Sequence, residues 1–240
     1  MIILRSTLFA LLQGLLTIVF GVASLLTFPF GPLTRYRIIS QWNRLIVWLA
    51  TVVCGIRYEI KGLENLPHTP VVVMAKHQSA WETIALPILL PPQVIVLKRE
   101  LLYIPFFGWG MRMLSPIAIN RKAGKEALKQ IVTQGRDRLA QGFWVLIFPE
   151  GTRIRPGETG RYGIGGAWLA THTQTPVLPV AHNAGEVWSK NAFFKRPGTI
   201  TLSIGPVIES AGLKADALNQ KVRDWIEAEM IRLPHATQAH

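Results

Sequence analysis

Residues 71–83 read VVVMAKHQSAWET. The first five are apolar and three are valine. A run that short and that rich in β-branched side chains fits a buried strand. A helix is expected from about residue 80 to about residue 90, so His77 falls in the loop after the strand. In open α/β sheets the carboxyl ends of strands face the crevice where functional groups collect. Glu82 follows His77 by five positions. On one continuous helix, positions five apart differ by about 140°, at ~100° per residue, and would not share a face. A loop carrying His77 that turns into a helix carrying Glu82 can bring the two side chains together. A carboxylate on one ring nitrogen fixes the imidazole tautomer and stabilises the imidazolium formed when the other nitrogen takes a proton. Taken alone, however, a histidine at a strand end is more often structural.

The same pattern recurs downstream. Strands are expected at about 57–61, 71–75, 94–98, 143–148, 177–181 and 199–204. Helices are expected at about 80–90, 123–141, 163–173 and 213–231. Strands apolar on both faces, separated by helices, predict an α/β fold: a mostly parallel central sheet flanked by helices. Pro179 inside VLPV (177–180) predicts an edge strand or a bulge there. The stretch LKRELLYIPFFGWGMRM (97–113) is broken by Pro105, Gly108 and Gly110 and reads as an apolar loop, either lining a pocket or resting in lipid. KNAFFKRPG (190–198) reads as a loop before the last strand.

Upstream of the sheet the chain changes character. Residues 6–28 carry no charge and are long enough to enter or cross a bilayer as a helix. FPFGP (28–32) stops that helix. The next segment sets Ile38, Ile39, Trp42, Leu45, Ile46 and Leu49 at helical spacing among Arg35, Arg37 and Arg44. A basic amphipathic helix with tryptophan suits a membrane surface. The expected layout is a membrane-associated helical hairpin over 1–55, an α/β domain over 56–233, and a disordered tail over 234–240. Basic residues after the apolar run favour placing the rest of the chain on the cytoplasmic side.

Lys and Arg number 26 against 14 Asp and Glu, giving a formal net charge of +12. That draws the chain to anionic lipid headgroups or phosphorylated substrates. Nucleic acid is not expected as a partner: the aromatic residues cluster with aliphatic ones, and no recognition motif is present. One cysteine, Cys54, allows no internal disulfide.

Three further stretches can carry chemistry. FPEGTR (148–153) follows an apolar strand. Gly151 permits unusual torsions, Thr152 offers a hydroxyl and backbone N–H groups, and Arg153 offers a planar fork that matches phosphate. Glu150 would orient that arginine or touch a substrate hydroxyl. Lys98 ends another strand, and Arg121 follows the apolar run in SPIAINR. Three cations at three strand ends can converge on one phosphate. No G-x-S-x-G elbow and no H-E-x-x-H pattern is present, so neither a serine nucleophile nor a metal is expected.

Taken in order, HQSAWE, KRELLYIPFFGWG, FPEGTR and VLPV, over about residues 76–180, resemble the four blocks of the glycerolipid acyltransferases, most closely the 1-acyl-sn-glycerol-3-phosphate acyltransferases. The helical pair before them looks like the membrane-docking motif of bacterial members. The resemblance implies that His77 takes the proton from the sn-2 hydroxyl of lysophosphatidic acid and that Glu82 orients it. It implies that the alkoxide attacks the thioester of acyl-CoA or acyl-carrier protein directly, with no cofactor. It assigns Arg153 to the phosphate and Lys98 to the same site, with Arg121 as a further contact. The usual acid in that family is aspartate, and Glu82 is one methylene longer, so the helix must sit farther from His77 or turn slightly. Two rival readings are a different acceptor, such as glycerol-3-phosphate, another lysophospholipid or a lyso-aminolipid, and a non-catalytic module that binds anionic lipid.

Overall fold

The computed structural model describes residues 1–236. Seven strands form one sheet: β1 (Ile56–Lys61), β2 (Val72–Ala75), β3 (Gln93–Lys98), β4 (Ile117–Ile119), β5 (Trp144–Ile147), β6 (Val177–His182) and β7 (Gly198–Ile204). Their spatial order is β1-β7-β6-β2-β5-β3-β4. Every neighbouring pair is parallel except β6 with β7. The five strands from β6 to β4 therefore run the same way, and their carboxyl ends share one edge. Among the described residues seven α-helices surround the sheet: α1 (Ile2–Leu25), α2 (Pro32–Cys54), α3 (Trp81–Leu89), α4 (Phe107–Met113), α5 (Lys125–Ala140), α6 (Gly165–Thr173) and α7 (Ala215–Arg232).

Alternation along the central strands sorts the core. Val72, Met74, Val145 and Ile147 pack with Ile131 of α5, Leu169 of α6 and Val222 of α7. Val73, Ala75 and Leu146 pack on the opposite side with Leu86 of α3. Both faces are covered, which is why β2 and β5 read as unbroken apolar runs.

The structure departs from the sequence reading of the fold at two places. The expected loop over 97–113 holds a helical turn at Arg99–Tyr103 and the helix α4. With two glycines in seven residues, α4 has little intrinsic preference to be read, and its packing creates it. Pro179 does not mark an edge: β6 lies inside the sheet, between β2 and β7. Its missing N–H falls where pairing with β7 ends, and its carbonyl still accepts from the Gly205 N–H at 2.9 Å. The expected tail, 234–240, is only partly described. The Pro234 carbonyl accepts from Asn183 at 2.8 Å, and the Ala236 N–H donates to Glu186 at 2.7 Å. Residues 237–240 lie outside the described residues.

The helices α1 and α2 pack on each other and on the domain. Most of α1 is exposed and apolar, with Leu4, Leu11 and Leu15 at 74%, 68% and 57% exposure. Its buried residues are Ser6 and Phe9 near the start and Gly21 and Ser24 near the end. A Cβ on Gly21 would meet the Phe106 carbonyl oxygen at 2.6 Å, so glycine sets how closely α1 approaches α4. Gly14, by contrast, faces open space. Gly21→Ala should therefore lower stability by about 1–3 kcal/mol through forced separation. Gly14→Ala should be neutral or stabilising by up to about 1 kcal/mol. Thermal unfolding of the two variants in one detergent distinguishes them, and equal melting points would contradict the close approach.

Candidate active site

His77 follows β2 directly, and the structure fixes it from four directions. Its ring Nδ1 lies 2.8 Å from Glu82 Oε1. Its ring stacks on Phe148, with centroids 4.2 Å apart and planes 20° from parallel. Its N–H donates to Glu150 Oε2 at 2.7 Å, and its carbonyl accepts from the Ile154 N–H at 2.8 Å. Three of these four contacts come from the segment after β5, the strand next to β2 in the sheet.

Glu82 lies in the first turn of α3 and is fully buried. Its Oε1 accepts from the N–H groups of Gln78 and Ser79, at 2.9 and 2.8 Å, besides its contact with His77. The carboxylate thus organises the 77–79 turn while it holds the imidazole. An ionised carboxylate can only accept, so Nδ1 carries the ring proton and Nε2 keeps its lone pair for the cleft. Burial pushes the Glu82 pKa up. The neighbouring His182 and the His77 hydrogen bond outweigh that, and the carboxyl sits below the ordinary glutamate range.

Glu150 is the residue whose expected role changes. It neither orients Arg153 nor reaches the cleft. Its side chain is buried, with Oε1 2.7 Å from Lys76 Nζ as an ion pair and Oε2 on the His77 N–H. Lys76 is 1% exposed and also meets Glu227 Oε1 of α7 at 2.8 Å. Glu227 in turn accepts from Tyr162 and Thr159. The glutamate of FPEGTR is therefore a support beneath the histidine.

The cations stand where the parallel sheet puts them. Neighbouring parallel strands lie ~4.8 Å apart, so the ends of β3 and β4 are roughly 10 and 15 Å from the end of β2. Long side chains can close those gaps. Lys98, Arg121, Gly151, Thr152 and Arg153 line the same cavity as His77, which has a volume of about 860 Å³. Gly151 takes φ +66°, a left-handed turn that glycine adopts freely, and its carbonyl accepts from Arg121 Nη1. Among the described residues neither Lys98 nor Arg153 has an ion-pair partner. A further cation, Lys190, comes from the 190–198 loop and lies 3.5 Å from Thr152 Oγ1. It also lines the cavity. Its basic charge beside Asn191 was the only signal in the sequence, and nothing tied that loop to the strand ends. Beyond this polar mouth the cavity runs between the helical hairpin and the sheet, past Gly14, Ile39, Val94, Val96, Phe106 and Met111. Pro179 does not line it.

The depressed pKa of Glu82 has a direction that stability measurements can follow. The contribution is complete above the unfolded glutamate pKa of about 4.3 and is lost as pH falls through the lower folded value. The difference in unfolding free energy between the parent protein and Glu82→Gln should shrink as pH falls below about pH 4.3. Urea unfolding at stepped pH measures it; a difference that grows on acidification would contradict a depressed Glu82.

A family model described as Acyltransferase matches residues 57–183, which hold His77, Glu82, Lys98, Arg121, Glu150, Gly151, Thr152 and Arg153 but not Lys190. The chain is 48% identical over 235 residues to the 1-acyl-sn-glycerol-3-phosphate acyltransferase of Pseudomonas aeruginosa, covering 96% of this chain and 91% of that protein. It is 30% identical over 189 residues to the protein of the same name from Borreliella burgdorferi, covering 76% of this chain and 74% of that one. The crystal structure of the 1-acyl-sn-glycerophosphate acyltransferase PlsC from Thermotoga maritima shares the fold, with a TM-score of 0.81 at 21% identity over 96% of this chain and 95% of that one. Fold, matched domain and sequence identity agree: the chain belongs to the 1-acyl-sn-glycerol-3-phosphate acyltransferase family.

Proposed function

We propose that the protein moves a fatty acyl group from an acyl thioester, acyl-CoA or acyl-carrier protein, to the sn-2 hydroxyl of lysophosphatidic acid, giving phosphatidic acid for phospholipid synthesis. The observation that carries this reading is one cavity holding a carboxylate-backed imidazole, cations with no ion-pair partner among the described residues, and an apolar interior. His77 Nε2 takes the hydroxyl proton as the oxygen attacks the thioester carbon. Glu82 balances the imidazolium. The tetrahedral intermediate collapses, the C–S bond breaks, and the proton returns from His77 to the departing thiolate. Arg153 and Lys98 hold the phosphate, with Arg121 and Lys190 beside them. A thioester is already an activated acyl group, so the reaction needs no cofactor. Neither candidate side-chain nucleophile is presented to the cleft: Cys54 is buried in α2, and Ser79 is buried with its Oγ accepting from the Trp81 N–H. That supports direct transfer without an acyl-enzyme.

The site of action we propose is one leaflet of a bacterial inner membrane, with the α/β domain on the cytoplasmic side. The domain contacts α1 near both of its ends. The Lys195 N–H donates to Ser6 Oγ at 3.0 Å, Phe9 meets Trp188 edge-on at 5.2 Å, and Gly21 abuts Phe106. A helix held along its length against a polar domain lies in the membrane plane more readily than across it. Its exposed leucines, with Trp48, Tyr103 and Phe193, supply the apolar and aromatic surface an interface accepts. Anionic headgroups match the +12 charge.

Purified protein assayed with acyl-CoA and each candidate acceptor in turn should use lysophosphatidic acid best. His77→Ala should lower turnover on the order of 10²- to 10⁴-fold while vesicle binding stays unchanged. Arg153→Ala should act mainly by raising KM for the phosphorylated acceptor. Unchanged turnover in His77→Ala would overturn the assignment of the base and favour a lipid-binding module.

A further inference from the structure

Behind the His77–Glu82 pair stands a second histidine that the reaction scheme above does not use. His182 ends β6 and is fully buried. Its Nδ1 accepts from the Ala184 N–H at 3.3 Å, and burial pushes the imidazole pKa down. Nε2 therefore carries the ring proton. That N–H donates to the Lys76 carbonyl at 2.8 Å and lies 3.9 Å from Glu82 Oε2. Oε2 is the buried carboxylate oxygen that has no hydrogen-bond partner among the described residues.

Two consequences follow. The Lys76 carbonyl and the His77 N–H belong to one planar peptide unit. His182 holds the carbonyl end and Glu150 holds the N–H end, so two buried side chains fix the unit that carries the base. The second consequence concerns the acid. Oε1 of Glu82 is occupied by three donors, and the longer glutamate side chain carries Oε2 inward to the His182 N–H. That contact is too long for a hydrogen bond, but it sets a positive dipole against the one unpaired oxygen in a region without water-like screening.

We propose that His182 is a positioning residue for acyl transfer, holding the 76–77 peptide and the Glu82 carboxylate so that His77 Nε2 meets the acceptor hydroxyl. The proposal rests on His77 acting as the base. Its expected signature is a loss in kcat with KM for both substrates within about twofold, because His182 touches neither. Misplacement of a catalytic group by about 1 Å can cost up to about 100-fold. His182→Leu should lower kcat roughly 10- to 100-fold. His182→Gln, whose amide nitrogen reaches where Nε2 stood, should recover kcat to within about threefold of the parent. His182→Asn places its amide where Nδ1 stood, cannot reach the Lys76 carbonyl, and should stay low. In a Glu82→Asp background, where the second oxygen no longer reaches inward, His182→Leu should cost less than in the parent.

Circular dichroism melts establish that each variant is folded. A folded His182→Leu with parental kcat overturns the proposal. If that variant does not fold, equal kcat in His182→Gln and His182→Asn overturns it instead. The two readings fail separately: a parent enzyme without turnover of lysophosphatidic acid defeats the acyltransferase assignment, whereas an active parent insensitive at residue 182 defeats only this one.

Discussion

The peptide unit between Lys76 and His77 is the constraint on which the site depends. Its carbonyl is held by His182 at the end of β6 and its N–H by Glu150 just past β5, the two strands that flank β2. The His182 and Glu150 side chains are both buried, so each contact is made where an unmade hydrogen bond costs about 1–3 kcal/mol. The imidazole cannot shift without breaking bonds to two neighbouring strands. Sheet order, more than local loop sequence, therefore fixes where the base stands.

Burying so many ionisable groups is costly, and the structure shows how the cost is offset. Lys76 is the shared counter-charge of Glu150 and Glu227, with Tyr162 and Thr159 completing the bonds to Glu227. Such networks contribute little net stability, because desolvation consumes most of the attraction, but removing one member leaves a buried charge unpaired. Their value here is geometric. Glu82 is different: its charge faces an imidazole that can become positive during the reaction, so its field favours the protonated base. On the open side of the same imidazole, Lys98, Arg153 and Lys190 collect without carboxylate partners among the described residues, leaving a cationic mouth over an apolar interior. That division of charge suits a substrate with a phosphate at one end and a hydrocarbon chain at the other.

Much of this was legible because parallel sheets leave a plain signature. VVVMA before His77 and FWVLIF before FPEGTR are apolar on both faces, so each marks a buried strand whose next residues face the crevice. Lys98, Arg121 and Arg153 could be placed at strand ends for the same reason, and all three line the cavity with His77. The resemblance carried what spacing could not, namely that a +5 histidine–glutamate pair belongs with FPEGTR. What stayed hidden is long-range. The Glu150 side chain can point into the cleft or under it, and only the position of Lys76 on the neighbouring strand decides. His182 reads as one more polar residue after an apolar strand until β6 is set beside β2. Lys190 lies in a loop whose place is fixed by contacts with Ser6 and Phe9 at the other end of the chain. No window of local sequence contains both partners of any of these contacts.

The most direct measurement is a structure of the protein with 1-acyl-sn-glycerol-3-phosphate bound. The account predicts the sn-2 oxygen within hydrogen-bond reach of His77 Nε2, about 2.6–3.2 Å. It predicts the phosphate on Arg153 and Lys98, and the acyl chain running past Val94 and Val96. A phosphate seated away from these cations, or a hydroxyl out of reach of Nε2 with the imidazole still bonded to Glu82, would contradict it.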